Sequence, residues 1–192
     1  MDAAWIEHDA GRRAEVVRLG LWMFLATVAM LFAAFTSAYL VRRGSGDWAP
    51  VSLPPVLWLN TLVLAVSSVA LEVGHAWGLA RRWARASGTL GVAGGLGLAF
   101  LYGQLVAWRT LMDDGVFLYD TPHASFLYML TGAHAVHVLA ALVVLSMAAV
   151  QTWSGLGRRD PSAWRLTLDA SRTFWHFLLG VWIFLLLLLS FY

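Results

Sequence analysis

Five stretches of the chain run for at least 20 positions without Asp, Glu, Lys or Arg, and they constrain its fold more than any other feature. The windows are residues 19–41, 48–71, 86–108, 121–157 and 173–192. About 20 mostly apolar residues in a helix cross a hydrocarbon core of roughly 30 Å. Backbone amides in that core need internal partners, and the windows lack the alternation of barrel strands. The sequence therefore predicts an all-α polytopic membrane helix bundle with five spans.

The composition agrees with lipid as the solvent for most of the chain. Hydrophobic residues make up 60% and charged residues 12% of the 192 residues, against about 45–50% and about 25% in soluble proteins. A soluble fold of this size has no interior large enough for so many apolar side chains. The fourth window is too short for two crossings and a turn, so it is assigned one long helix. Because the loops are short and polar and none is long enough for a soluble domain, we predict a single membrane domain, residues 1–192. Its spans are expected at about 19–41, 53–80, 86–110, 124–153 and 172–192.

The arginines predict the direction of the bundle. All 13 basic residues are Arg, and ten of them flank one side of the predicted spans, namely Arg12, Arg13, Arg18, Arg81, Arg82, Arg85, Arg158, Arg159, Arg165 and Arg172. The opposite side has three, Arg42, Arg43 and Arg109. Positive residues concentrate in cytoplasmic segments. We therefore expect the N-terminus in the cytoplasm and the C-terminus outside.

Several function classes are excluded by what the chain lacks. It contains no Cys, which excludes disulfide scaffolds, zinc fingers, iron–sulfur clusters and cysteine nucleophiles. A formal net charge of +2 gives no indication of a nucleic-acid partner. Phosphate-binding loops and Ser-His-Asp arrangements are absent from the sequence. We therefore predict no catalytic residue in this chain.

Few polar side chains fall inside the spans, and each is a candidate for function because such groups are costly in hydrocarbon. Glu72 and His75 share a helix face, as do His134 and His137, since both pairs are three residues apart. A carboxylate-bridged di-iron site needs a second Glu-x-x-His and two further Glu residues. Transmembrane haem sites need more histidines on facing helices. We therefore predict no metal or cofactor ligand here.

The remaining interpretation is that the polar side chains make contacts between helices or with a partner subunit or lipid. The residues so assigned are Glu72, His75, Gln104, His134, His137, Trp175 and His176. We expect Glu72, His75 and His176 towards the cytoplasmic side and the other two histidines nearer the midplane. In the third span, Gly91 and Gly95 form a small-xxx-small pair that is expected to admit another helix.

Short motifs occur in order, one or more in each predicted span. They are GLWMFL at 20–25, MLF at 30–32 and SAYL at 37–40, LNT at 59–61 and SS at 67–68, Gln104 with Trp108, TGAHAVHV at 131–138, and FWHF at 174–177 with VWI at 181–183. In this order they resemble cytochrome c oxidase subunit III over residues 19–192. The five spans correspond to the last five of the family's seven helices, and short bacterial members similarly lack the first two.

The resemblance implies an accessory subunit of a haem–copper oxidase in the bacterial inner membrane. Subunit III of the family packs against subunit I, which carries haem and copper, within a proton-translocating complex that also contains subunit II. It binds phospholipid and supports sustained turnover and proton uptake, but holds no redox centre itself. Enzyme activity is therefore expected of the complex in aerobic respiration and not of this chain alone.

The sequence departs from the family at three positions where the resemblance implies a membrane-embedded acid. These positions hold Val28, Ala107 and Leu179, whereas Glu72 stands where the family is not usually acidic. A role in proton uptake that depends on the embedded acids is thereby placed in question, whereas the packing role is unaffected.

Two alternatives remain open. One is subunit III of a quinol oxidase, or the homologue associated with nitric oxide reductase, because electron donor and acceptor chemistry resides in other chains. The other is a small transporter that uses Glu72 and the histidines. Transporters favour internal repeats and broken helices, and no repeat is visible in this sequence.

Overall fold

The computed structural model describes residues 3–191, with side chains placed for all of them except 3–10 and 13. This part of the chain contains six helices and no strand: α1 Ala3–Arg43, α2 Val56–Leu79, α3 Trp83–Asp113, α4 Pro122–Trp153, α5 Leu156–Arg159 and α6 Pro161–Phe191. All but α5 are long and apolar enough to cross a membrane. The predicted all-α membrane bundle with five spans is confirmed, whereas the direction of the helices stays a prediction. Residues 1, 2 and 192, at the ends of the predicted domain, lie outside the described residues.

The helices run beyond the predicted spans at the arginine-rich end of the bundle. The first helix begins at Ala3 rather than near residue 19, and α6 begins at Pro161 rather than near residue 172. Charged residues interrupt an apolar window without ending a helix, because Arg and Glu are good helix formers. As a result, the part of α6 up to the start of the apolar window carries three charged side chains, Arg165, Asp169 and Arg172.

Local sequence signals set several helix ends. Thr121 caps α4 by accepting a hydrogen bond from the Ala124 N–H at 3.1 Å, and a proline follows it at the first helical position. Asp160 does the same for α6, accepting from the Ala163 N–H at 3.0 Å ahead of Pro161. The α2 helix begins directly after Pro54 and Pro55. These caps satisfy N–H groups that lack partners within the helix.

Four helices form the main core, and α1 lies against its side. The antiparallel pair α2 and α3 packs on α4 and α6, and α6 also contacts α2, while α1 packs on α4 and α6. Indole N–H groups join these helices by donating to threonine hydroxyls, from Trp108 to Thr131 (3.1 Å), from Trp164 to Thr152 (2.7 Å) and from Trp182 to Thr61 (2.9 Å). Because an indole that is buried needs an acceptor, these bonds fix the rotation of the helices about their axes.

Close helix approach occurs at different glycines from the pair singled out in the sequence. A Cβ at Gly91 or Gly95 would meet no atom within 4 Å, so neither admits another helix within the described part of the chain. The interior glycines of α3 are Gly97, where a Cβ would lie 2.5 Å from the Trp175 ring, and Gly103, where it would overlap the Asn60 amide. The expectation for Gly91 and Gly95 is therefore wrong within this chain, because both lie on the outer face of α3.

The outer surface of the bundle is apolar. Large hydrophobic side chains are exposed along all five membrane-length helices, including Met30, Leu59, Leu98, Val136 and Phe184. Soluble monomers rarely expose apolar patches of this extent. Lipid, or the surface of another membrane protein, is the environment that such a surface fits.

Candidate functional site

Charged side chains of α2 and α6 meet at the arginine-rich end of the bundle. Arg172 donates from Nε to Glu72 Oε1 at 2.9 Å and from Nη2 to Glu72 Oε2 at 2.6 Å. This two-pronged geometry is the strong form of a carboxylate–guanidinium pair. Since the partners are 100 residues apart in sequence, the pair ties the middle of the chain to its last helix.

Two histidines and a second acid complete what we call the polar cluster, which consists of Glu72, His75, Asp169, Arg172 and His176. The Asp169 carboxylate lies 3.3 Å from both His75 Nε2 and Arg172 Nη1. His176 Nε2 lies 3.3 Å from Glu72 Oε1, and its Nδ1 donates to the Arg172 carbonyl at 2.7 Å. The Arg172 and Glu72 side chains are 28% and 39% exposed. The cluster is therefore a half-buried network in which Arg172 lies between two carboxylates, each of which also adjoins a histidine.

The polar cluster brings together three of the residues predicted from the sequence, Glu72, His75 and His176. Sequence reasoning missed two members: Arg172 was used only to predict orientation, and Asp169 lay outside the predicted fifth span. Both could have been assigned from the sequence, because the spacing of Asp169, Arg172 and His176 places them on one face of a helix. Asp169 was missed because the predicted span begins after it, and Arg172 was missed because it was counted only for orientation.

His134 lies in the centre of the bundle and is fully buried among aromatic rings. Its ring centroid is 5.0 Å from that of Trp182 and 5.7 Å from that of Phe100. Neither ring nitrogen bonds to any described residue. His137 is half-buried and donates from Nδ1 to the Ala133 carbonyl at 2.7 Å, and its ring contacts the Phe32 ring. The two histidines therefore pack against aromatic side chains and form no hydrogen bond between helices.

Gln104 and Trp175 are also buried, apart from the polar cluster. Both amide atoms of Gln104 and the indole N–H of Trp175 have no hydrogen-bond partner among the described residues. The Trp175 ring lies over Gly97 of α3, which makes it a packing residue between α6 and α3. The seven predicted residues thus occupy separate places, of which only the polar cluster unites several.

An apolar groove runs between α1 and α6 on the outside of the bundle. It encloses about 700 Å³. Its walls are made by Ala29, Phe32, Ala33 and Leu40 of α1 and by Phe177, Gly180, Val181 and Phe184 of α6, with His176 at one end. The groove therefore has a polar end, at the polar cluster, and an apolar wall beyond it. This distribution matches a lipid molecule, in which a polar headgroup is joined to apolar acyl chains.

His123 is a buried histidine that sequence reasoning did not single out. Its Nδ1 accepts a hydrogen bond from the Val51 N–H at 2.8 Å, and its ring contacts Tyr39 and Trp48. It thereby fastens the α1–α2 loop to the start of α4. The signal that was available is its place directly after Thr121 and Pro122, which predict a helix start.

A metal site requires several potential ligands in one place. Among the residues that the structure describes, no group of three or more His, Cys, Asp or Glu side chains is placed to hold a metal ion. In the polar cluster, Arg172 occupies the space between the two carboxylates. Its charge opposes a cation there. The arrangement suits contact between helices and defines a multi-pass membrane protein whose polar groups hold its helices together.

Comparison with known proteins identifies the family. A sequence model of cytochrome c oxidase subunit III matches residues 7–192. A probable cytochrome c oxidase subunit 3 of Mycobacterium bovis is 30% identical, over 93% of this chain and 89% of its own length. The cytochrome c oxidase subunit 3 of Thermostichus vulcanus is 29% identical over 89% of this chain and 85% of its own. Subunit 3 of the cytochrome bo(3) ubiquinol oxidase of Pseudomonas aeruginosa is also 29% identical, over 92% and 83%.

The chain belongs to the cytochrome c oxidase subunit III family, which confirms the resemblance seen in the motifs. Two positions where an acid was expected hold core residues, since Val28 is 2% and Ala107 0% exposed. Leu179 is half-buried and packs against the same core as Ala107. These positions contribute apolar packing here.

Proposed function

We propose that this chain is the non-redox subunit III of a haem–copper terminal oxidase in the plasma membrane of a bacterium. It would pack against subunit I, alongside subunit II, and stabilise that assembly. The observation that carries the proposal is the family match, which spans all five membrane-length helices. Haem and copper belong to the partner subunits in this proposal, as do oxygen reduction and its coupling to proton translocation.

The side chains of the bundle support a structural role. Several polar residues inside the helices join one helix to another, as in the Trp182–Thr61 hydrogen bond and the Glu72–Arg172 pair. The apolar outer faces are free to contact a larger membrane protein. With its N-terminus in the cytoplasm, the bundle would place the polar cluster at the cytoplasmic edge of the complex as part of a single membrane domain.

A bound phospholipid is the second part of the proposal. The groove between α1 and α6 presents an apolar wall of acyl-chain character and ends at His176, beside the polar cluster. A lipid there would cover the side of α1 next to its contact with α6. Lipid in this groove would therefore add to the stability of the α1 contact.

The electron donor has two candidates, each supported by a named relative. The relatives from Mycobacterium bovis and Thermostichus vulcanus are named for cytochrome c oxidase, whereas that from Pseudomonas aeruginosa is named for a ubiquinol oxidase. Donor chemistry resides in other chains, so the motif content of the co-purifying subunit II decides between them. A copper-site motif there indicates cytochrome c as the donor, and its absence indicates quinol.

The experiment that tests the proposal is purification of the tagged chain from native membranes in mild detergent, with identification of co-purifying chains and a reduced-minus-oxidised haem spectrum. We expect a haem-bearing subunit I to be recovered in stoichiometric amount. The chain separated from its partners should show no haem absorbance. Recovery without any haem protein, or a haem spectrum from the isolated chain, contradicts the proposal.

The lipid groove has a test of its own with a matched control. Gly180→Leu places a side chain in the groove, where a Cβ meets no atom within 4 Å, so the helix itself is not strained. Gly95→Leu makes the same change on the outer face of α3, where a Cβ also meets nothing. We expect fewer retained phospholipids by native mass spectrometry for Gly180→Leu only. Equal lipid counts in both variants contradict binding in this groove.

A further inference from the structure

Four arginines gather around a pocket at the end of the bundle where α2 turns into α3 and α4 approaches α6. The pocket encloses about 560 Å³ and is lined by Arg81, Arg82, Trp83, Ala84, Arg85 and Arg158. We call it the arginine pocket. We propose that it binds the phosphate group of an anionic phospholipid, at a site separate from the groove between α1 and α6.

The charge of the arginine pocket is not neutralised within the described part of the chain. No carboxylate there lies within 4.0 Å of the guanidinium nitrogens of its four arginines. The nearest acid in sequence, Asp160, is engaged with Ser162 Oγ at 2.6 Å and the Ala163 N–H at 3.0 Å. Four like charges around one cavity repel each other, and an anion between them relieves this repulsion. The pocket therefore favours an anionic ligand.

Two of the guanidinium groups are held in place without using their hydrogen-bond donors. Arg82 and Arg85 lie over the Trp77 ring, with Cζ at 5.1 and 5.0 Å from a ring centroid. A cation over an aromatic face is attracted to the π-system, and the guanidinium N–H groups at its edge stay free for an acceptor. Such donors match the geometry of phosphate oxygens.

The backbone of the turn between α2 and α3 also contributes to the arginine pocket. The α2 helix ends with Arg82 N–H donating to the Trp77 carbonyl and Arg81 N–H to the Gly78 carbonyl, at 2.9 and 3.0 Å. This closing motif usually has glycine at the position of Arg81, whose φ is +57°. A charged side chain thus occupies a position where its backbone is strained. Trp83 and Ala84 contribute the first turn of α3, where N–H groups carry partial positive charge.

Apolar side chains beside the pocket favour a lipid as the source of the phosphate. Leu79 and Leu156, each two residues before a lining arginine, are 44% and 50% exposed. Trp77, whose ring lies beneath Arg82 and Arg85, is half-buried. A ligand with a phosphate group and an acyl chain satisfies both the charge and the exposed apolar surface, as in basic pockets at the ends of membrane helices. Inorganic phosphate satisfies only the first.

The test compares lipid retention by the purified full chain in its native complex, using native mass spectrometry after exchange into vesicles. The probes are vesicles of phosphatidylcholine alone or with phosphatidylglycerol. Each Arg removed near a membrane surface is expected to weaken anionic-lipid binding about fivefold. We therefore expect a preference for phosphatidylglycerol that falls about fivefold in Arg85→Gln and about 25-fold in Arg82→Gln/Arg85→Gln.

Arg109→Gln is the matched control, because it removes an exposed arginine from the other end of the same helix. It should leave the preference unchanged. Arg81→Gly keeps the result interpretable if other variants fold poorly, since it relieves the backbone at a positive φ while removing one charge. It should weaken phosphatidylglycerol binding about fivefold and leave thermal stability equal or higher.

Three outcomes overturn the proposal. Equal retention of the two lipids by the wild-type chain shows that the pocket does not select an anionic headgroup. An equal loss in Arg109→Gln and Arg85→Gln shows a general charge effect. Displacement of the bound phosphatidylglycerol by low-millimolar inorganic phosphate shows that free anion, and not lipid, is the ligand.

Discussion

The Trp164 indole lies over Gly78, and a side chain at Gly78 would overlap its six-membered ring. Trp164 is 1% exposed and donates to Thr152 at 2.7 Å. Gly157 adjoins the other edge of the indole, where a Cβ would lie 2.9 Å from it. One tryptophan of α6 thus locks α2, α4 and α5 together at the arginine-rich end, and the two glycines make room for it.

Gly78→Ala should therefore destabilise the bundle. The added methyl group displaces a buried ring that is already hydrogen-bonded, and overpacking of this kind costs about 1–3 kcal/mol. Gly91→Ala is the control, because a Cβ there meets nothing and alanine is the better helix former by about 0.5–1 kcal/mol. Thermal unfolding of the detergent-solubilised protein should give a lower midpoint for the first and an unchanged or higher midpoint for the second. Equal shifts contradict the packing assigned to Trp164.

The Glu72–Arg172 pair should show energetic coupling. Glu72→Gln or Arg172→Gln leaves one half-buried charge without its main partner, and after allowance for solvent we expect a loss of about 1–2 kcal/mol in either variant. The double variant should lose less than the sum of the two, because the second change removes the charge that the first left unpaired. Thermal midpoints of the four proteins measure this.

Asp169→Asn serves as the control for that pair. Asp169 is 52% exposed and lies 3.3 Å from Arg172, so its removal should change stability by at most about 0.5 kcal/mol. Additive losses for Glu72→Gln and Arg172→Gln would show that the two residues do not support each other. Loss of a transport activity in Glu72→Gln, with assembly intact, would instead favour the transporter alternative.

The helices could be predicted from the sequence because their signal is local. Twenty apolar residues without a charge specify a span whatever the rest of the chain does, and Pro54 and Pro55 indicate the start of α2 without reference to any partner. The predicted first and fifth spans mark apolar windows and not helix starts: α1 and α6 begin earlier, because charges at helix ends remove the hydropathy signal while the helix continues. Asp169 lies in the part of α6 that precedes the predicted span, whereas Arg172 lies at the first residue of that span and was counted only among the orienting arginines.

The faces of the helices could not be predicted in the same way. Gly91 and Gly97 are six residues apart, which corresponds to a rotation of about 240° around α3. One therefore faces outward while the other meets Trp175. The small-xxx-small spacing indicates a face that permits close packing but not which neighbour occupies it. Likewise, nothing local indicates that Glu72 meets a residue 100 positions away.

His134 should tolerate an aromatic replacement better than an aliphatic one. Its stabilising contacts are with the rings of Phe100 and Trp182, while its two nitrogens are buried without partners. His134→Phe keeps the ring and removes the unpaired polar atoms, so stability should be unchanged or higher. His134→Leu loses the aromatic contacts, at a cost of about 1–2 kcal/mol. The yield of assembled complex should fall for His134→Leu only, and the haem spectrum per mole of assembled complex should be unchanged. Selective loss of catalysis in a fully assembled complex contradicts this prediction.

Asp47, in the loop after α1, should show an unusually acidic titration. Arg42 donates to both of its carboxylate oxygens, at 2.7 and 2.6 Å, and these bonds, with one from Ser45, lower the pKa of Asp47 to about 2. Because the pKa is lowered on folding, the pair stabilises the loop fully above the ordinary value of 3.8 and loses this effect as the pH falls towards 2. Arg42→Gln should return the pKa towards 3.8, measured by NMR of isotope-labelled aspartate. An unchanged titration contradicts the pairing.

The direction of the bundle can be tested directly because the chain has no cysteine of its own. Tyr119, in the α3–α4 connection, is 89% exposed, and Asp160 is exposed at the opposite end of α4. If the arginine-rich end faces the cytoplasm, a membrane-impermeant thiol reagent added to intact cells should label Tyr119→Cys and not Asp160→Cys. After the membrane is opened, both should react. Labelling of Asp160→Cys alone in intact cells would reverse the orientation, and with it the placement of the polar cluster and the arginine pocket on the cytoplasmic side.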